Sequence, residues 1–138
     1  MAVPLSVVTV ERSLFEGDVD FMICRGADGE LGVLPQHAPL MTTLKPGMVL
    51  VRQRGEQTLL FVSGGFLEVL PHRVTILADS GERAADIDPQ RAEDARRRAE
   101  MMLAEHEALG SDVEAWRRAL ERAEGRLRAV DSFRRGQA

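Results

Sequence analysis

Asp86-Ile87-Asp88-Pro89-Gln90-Arg91-Ala92 divides the chain into two parts with different periods. Asp88 has the short acceptor side chain that caps a helix. Pro89 falls at the first helical position, where its missing amide hydrogen leaves nothing unsatisfied. Downstream, apolar residues recur at three-or-four spacing, first as Ala92, Ala95, Ala99, Met102 and Leu109, then as Trp116, Leu120, Ala123, Leu127 and Val130. Gly110 is placed to close the first helix, and Ser111-Asp112-Val113-Glu114 has the form of a capping box opening the second. The pattern predicts an antiparallel two-helix hairpin over residues 85–138.

Upstream of the divide the chain reads as strands. Val3 to Val10 and Val19 to Cys24 are rich in β-branched and apolar residues, and Met48–Arg52 and Thr58–Val62 flank a turn at Gly55-Glu56. Gly64-Gly65 and Pro71-His72 punctuate two more, Phe66–Leu70 and Val74–Ala78. Short strands at this spacing predict an antiparallel β-sandwich over residues 1–84. The fold class expected is therefore α+β, with a strand domain and a helical domain in separate segments.

Composition bounds the function. A chain of 138 residues, 44% apolar and 29% charged, buries one modest core and supports a small satellite element beside it. No apolar run approaches the roughly 20 residues needed to span a bilayer, and Met1-Ala2-Val3-Pro4-Leu5 lacks the basic region of a signal peptide. A cytosolic protein that meets a membrane only through a partner is expected. The single cysteine, Cys24, allows no intrachain disulfide and reads as a small core residue. A net charge of -4 argues against nucleic-acid binding, which needs a basic excess. Charge is uneven, however: residues 115–138 carry 7 basic and 3 acidic groups, a local excess suited to an acidic partner or a phosphate.

The hairpin stripes are alanine-heavy. Alanine buries little area at about 25 cal/mol per Å², so docking of the hairpin on the strand domain should be worth only a few kcal/mol once ordering entropy is subtracted. A weakly held element of this kind suits a two-state switch. Its arginines divide into two groups. Arg128, Arg118 and Arg98 have Glu124, Glu114 and Asp94 within helical reach, whereas Arg122 and Arg126 find no carboxylate three or four residues away and face each other. An external anion would relieve that repulsion, either a phosphate chain, whose oxygens suit guanidinium forks, or an acidic segment of a neighbouring protein.

A second stretch carries a family resemblance. Gly29-Glu30-Leu31-Gly32-Val33-Leu34-Pro35-Gln36-His37-Ala38-Pro39-Leu40, running on through Thr42-Thr43-Leu44-Lys45-Pro46-Gly47, is a shaped turn rather than a solvated linker. With Phe61-Val62-Ser63-Gly64-Gly65-Phe66-Leu67-Glu68-Val69, Val74–Asp79 and Asp86–Ala92 it resembles, in order and over nearly the whole chain, the epsilon subunit of F-type ATP synthases. The resemblance implies a non-catalytic rotor subunit on the cytoplasmic face of the cell membrane, gripping the gamma subunit and the c ring through the sandwich. It also implies a hairpin that damps ATP hydrolysis, extending toward an acidic segment of the catalytic beta subunit.

Ile87-Asp88-Pro89-Gln90-Arg91-Ala92 also matches the motif of epsilon subunits that bind ATP as a regulatory ligand. That match implies Glu82, Ile87, Asp88 and Ala92 around the adenosine, with Arg91, Arg98, Arg122 and Arg126 on the phosphates. The bland alternative is that Asp88 only caps the helix and pairs with Arg91. In the family the loop matching Glu30 to His37 faces the c ring, which makes Glu30 and His37 the candidates for that contact. Gln36 departs from the glycine or asparagine common there, so a positive φ would strain it.

Other chemistry is weak. His37 has no serine or second histidine near it in sequence, His72 and His106 are isolated from any metal-ligand cluster, and Gly64-Gly65 lacks the lysine and helix of a phosphate loop. Neither a catalytic residue nor a required cofactor is expected. The competing readings are a free-standing ATP-binding module without a rotor role and a small hydrolase built on His37.

Overall fold

Alternate residues of the first strand, Val3, Leu5 and Val7, are buried while Pro4 is exposed, and this period of two recurs in several later strands. The structure, a computed structural model, describes residues 2–136. Its strands are β1 (Val3–Val8), β2 (Ser13–Val19), β3 (Phe21–Gly26), β4 (Gly29–Val33), β5 (Leu40–Leu44), β6 (Gly47–Gln53), β7 (Glu56–Val62), β8 (Gly65–Leu70), β9 (Arg73–Ala78) and β10 (Gly81–Arg83). A 3-10 turn at Ala84–Asp86 leads into α1 (Pro89–Ala108) and α2 (Glu114–Gly136). The expected order of a strand domain followed by a helical hairpin is present.

The strands run in the order β10-β7-β6-β3-β5-β8-β9-β1-β2, with β4 on β3. This sheet folds over so that its ends meet: the Arg12 guanidinium donates to the Gly81 carbonyl at 3.2 Å, and a Cβ on Gly81 would lie 2.8 Å from Leu14 Cδ1. Leu5, Met22, Leu60, Leu67 and Ile76 fill the space between. Cys24 is buried among them as expected, and burial pushes its thiol up to about 11.

Several details differ from the sequence reading. One ladder, β1 with β9, is parallel rather than antiparallel, with Leu5 opposite Val74 and Val7 opposite Ile76. The long connection between those strands permits it. β1 ends at Val8 instead of Val10, because Thr9 Oγ1 accepts from the amides of Glu11 and Arg12 and turns the chain. The run from Val19 to Cys24 is not one strand: it spans the end of β2 and the start of β3. The β6–β7 turn falls one residue earlier than expected, at Arg54 (φ 51) and Gly55 (φ 81), the paired positive values of a type I′ hairpin.

The Leu34-Pro35-Gln36-His37 turn is closed by the His37 amide on the Leu34 carbonyl at 3.2 Å, with proline second and Gln36 third at φ 63. That is a type II turn, and the strain expected of Gln36 is present, at about 1 kcal/mol for a residue with a Cβ.

Asp88 caps α1 as expected, its Oδ1 accepting from the amides of Gln90 at 3.0 Å and Arg91 at 3.2 Å. Gly110 (φ 71) donates to Glu107 O and Ser111 to His106 O, a Schellman ending. At the start of α2 the acceptor is Asp112, whose Oδ1 takes the Glu114 amide at 3.0 Å, in place of the expected Ser111. Within the hairpin Ala92 and Ala99 are buried, but Ala95 and Leu109 are exposed. Leu109 lies past the last turn of α1, and Ala95 faces a cleft described below.

The hairpin rests on the sheet through α2, and α1 packs on α2. Beneath α2 lie two cross-strand rows: Glu82, Phe61 and Met48 from β10, β7 and β6, then Leu59, Leu50 and Ile23 from β7, β6 and β3. Leu60 and Val62 point instead into the sandwich core. This explains the unbroken apolar run Leu59-Leu60-Phe61-Val62: both faces of β7 are covered. Phe61, with no exposure, packs against Gly125, where a Cβ would approach its ring to 2.6 Å.

Candidate functional site

The corner where β10, the 3-10 turn, the start of α1 and the middle of α2 converge forms a cleft of about 460 Å³, within the range typical of small-molecule sites. Ser80, Gly81, Glu82, Asp86, Ile87, Asp88, Arg91, Ala92, Ala95 and Arg126 line it. Six of the eight residues named as nucleotide candidates are thus brought together although they span residues 82 to 126. Local reasons position each. The Asp88 cap turns the chain so that Arg91 and Ala95 follow on one face of α1, and the small Ala92 and Ala95 leave room between the helices and β10.

Arg98 and Arg122 do not join this lining. Arg98 instead lies over the Trp116 ring, 5.9 Å from its centroid, and makes no ion pair with Asp94 among the described residues. Arg122 is half-buried on α2. Arg118 does pair with Glu114 at 3.8 Å, whereas Arg128 leaves Glu124 and lines a second cleft.

Charge inside the first cleft is mixed, with three carboxylates and two guanidiniums in its lining. Arg126 is not left without an anion, as its helical neighbours alone suggest. Its Nε donates to Glu82 Oε1 at 2.8 Å, and its guanidinium lies 4.8 Å from the Phe61 ring centroid. The relieving carboxylate comes from 44 residues away. Asp88 spends Oδ1 on the helix cap and forms no ion pair with Arg91; among the described residues Arg91 has no carboxylate partner. Arg91 is the exposed cation of the site, and Glu82, Asp86 and Asp88 are acceptors suited to hydroxyl and amine donors.

Glu30 and His37 are set apart from this corner. Glu30 stands opposite Arg25 near the start of β4 and lines the second cleft, of about 470 Å³, between α2 and the β3–β6–β7 face. His37 lies beyond the other end of β4, half-buried, its Nδ1 donating to the Ala38 carbonyl at 2.7 Å. The described residues hold no cluster of three or more histidine, cysteine, aspartate or glutamate side chains able to bind a metal, and no helix long and apolar enough to cross a membrane. Sequence reasoning missed Phe61 and Gly125. The unbroken apolar run Leu59–Val62 at the end of β7 and a glycine in the middle of α2 were the available signals.

A folded-over sheet carrying a helical pair on one face is the architecture of the ATP synthase Delta/Epsilon chains, whose beta-sandwich domain matches residues 2–84 and whose long alpha-helix domain matches residues 85–131. Curated relatives agree. The ATP synthase epsilon chain of Desulforamulus reducens is 45% identical over 129 residues, covering 92% of this chain and 96% of the relative. That of Chloroflexus aurantiacus is 55% identical over 96 residues, covering 70% and 69%. The chain therefore belongs to the epsilon subunit family of F-type ATP synthases. Among solved structures, a chain of the Euglena gracilis mitochondrial ATP synthase, OSCP/F1/c-ring, superposes with a TM-score of 0.69 at 22% identity, covering 99% of this chain and 82% of that one. That likeness speaks for the fold.

Proposed function

We propose that this chain is a non-catalytic central-stalk subunit, that its strand domain couples gamma to the c ring, and that its hairpin restrains ATP hydrolysis when it leaves the sheet. The observation that carries this reading is the contrast between a sandwich filled by leucine, isoleucine and valine and a hairpin whose two helices bury mostly glycine and alanine, namely Ala92, Ala99, Ala123, Gly125 and Ala129 beside Val130. A rigid body transmits torque, and a loosely held one changes state. Outward-facing Met41, Phe66 and Leu77, on the adjacent strands β5, β8 and β9, form an apolar patch suited to gamma. Glu30 and His37, on and after β4, are the contacts proposed for the c ring, and the basic last segment of α2 is the surface proposed for an acidic stretch of the beta subunit. Localisation at the cytoplasmic face of the membrane follows from those partners.

The cleft beside Asp88 is proposed as a regulatory ATP site, with Glu82, Ile87, Asp88 and Ala92 toward the adenosine and Arg91 and Arg126 toward the phosphates. Arg98 and Arg122 reach phosphate only if their side chains swing from their present positions. A ligand that prefers the docked hairpin stabilises it by about 2.7 kcal/mol at a hundredfold excess over Kd, comparable with a weak clasp.

The test is to tether the hairpin. Residue 136 lies beside Gln57, the glycine's Cβ position being 3.6 Å from Gln57 Nε2. A chain carrying Gln57→Cys and Gly136→Cys, joined by a short bis-maleimide and reassembled with the other subunits, is expected to hydrolyse ATP faster than the unjoined chain. Equal rates would remove the inhibitory role. Failure to co-purify with gamma would remove the stalk role, and an isothermal titration without heat at millimolar ATP would remove the nucleotide role.

A further inference from the structure

The Glu82–Arg126 pair joins the edge strand β10 to the middle of α2, across 44 residues of sequence. It is partly shielded, with the two side chains 28% and 29% exposed. It also sits in register with the rest of the clasp. Glu82 is the direct cross-strand partner of Phe61, so one row of the sheet presents a carboxylate and a ring side by side, and Arg126 engages both. The preceding residue, Gly125, lets α2 approach the Phe61 ring closely enough for that double contact. Nothing on α2 itself offers Arg126 an acid at helical spacing. Its ion pair therefore exists only while the hairpin is docked.

We propose that Glu82 is a built-in counter-anion that latches the docked hairpin through Arg126. This rests on reading the cleft as an anion site and adds how that site is held when empty. Its consequence is a hairpin that stays docked without nucleotide. A phosphate arriving at Arg126 displaces a carboxylate already there, so the ligand gains only the difference between two charge-assisted contacts. Arg91, which has no carboxylate partner among the described residues, is the open half of the site.

The experiment uses the full chain with donor and acceptor dyes at Gln57→Cys and Gly136→Cys, positions adjacent in the docked state; Cys24 is buried and stays unlabelled. Glu82→Gln and Arg126→Gln are each expected to lower the docked-to-open ratio about tenfold, as loss of a hydrogen bond between charged groups does. The double swap Glu82→Arg with Arg126→Glu should recover part of that loss, a result that a simple packing defect at either site would not produce. Sodium tripolyphosphate should return Glu82→Gln, but not Arg126→Gln, toward the docked state. If the wild-type chain takes up no ATP and these results still hold, the nucleotide reading falls and the latch stands. Energy transfer unchanged in Glu82→Gln, a swap no better than the single variants, or tripolyphosphate acting equally on both variants would overturn the proposal.

Discussion

Two apolar cores lie on opposite faces of β7 and are built from different material. Inside the sandwich, Leu5, Leu60, Leu67 and Ile76 interlock with essentially no exposure. Between sandwich and hairpin, Ala84, Ala92 and Ala129 alternate with Leu59, Phe61, Ile87 and Val130, and Met48, Leu50, Leu127 and Phe133 remain partly open. A buried leucine or isoleucine contributes about 1.5–3 kcal/mol, and an alanine far less. One strand thus supports two unlike contacts, and the difference lies in what is packed on it: leucine, isoleucine and valine from the other strands on one face, mostly glycine and alanine from the helices on the other.

The largest effect is expected at the permanent contact. Ile76→Ala should leave a cavity in the sandwich and cost about 2–5 kcal/mol, read as a lower denaturant midpoint for the strand domain. A loss of under 1 kcal/mol would mean that the sandwich core is not the tight element.

Gly125→Ala is expected to act on the other face, costing roughly 1–3 kcal/mol of docking through overlap with Phe61 while leaving the sandwich midpoint unchanged. The sign is diagnostic. Alanine improves an isolated helix by about 1 kcal/mol over glycine, so propensity predicts a gain and packing predicts a loss. Dye-pair distances across the clasp decide between them.

The smallest effect concerns pH. Arg96 donates to Glu93 and Glu100, and Arg97 donates to Glu93 at 3.1 Å. The hydrogen bond from Arg96 leads in lowering the Glu93 carboxyl from its usual 4.5 to about 2. A carboxyl held down in the folded state stabilises it above the unfolded value, and that contribution fades as pH falls from about 4.5 to about 2. Helix content followed by circular dichroism should drop through that window, more shallowly in Glu93→Gln. Superimposable curves would dismiss the contribution.

Much of this contrast is legible in the residues themselves. The helix start at Asp88-Pro89, the glycine ending at Gly110 and the longer apolar strands follow from local chemistry. β4, β5 and β10 are harder to see, because they are short and their sequences, Gly29–Val33, Leu40–Leu44 and Gly81–Arg83, show no regular apolar and polar alternation. The turn of an alanine-rich helix is also weakly marked, so Ala95 could be assigned to the wrong face. At the site, the Ile87–Ala92 motif gathers its own residues and Glu82 lies close by in sequence. The Glu82–Arg126 pair was hidden because helical spacing reports only neighbours on one helix, and this partner sits on a strand.

The parallel register of β1 with β9 bears on how the chain is made. β1 lies between β2 and β9 and is made well before β9, so one of its edges stays unpaired until residues 73–78 have been synthesised. Closure of the strand domain is thereby deferred to a late, long-range event. β10 and the helices follow directly. Birth order places the clasp after the strand domain, on a surface only just completed.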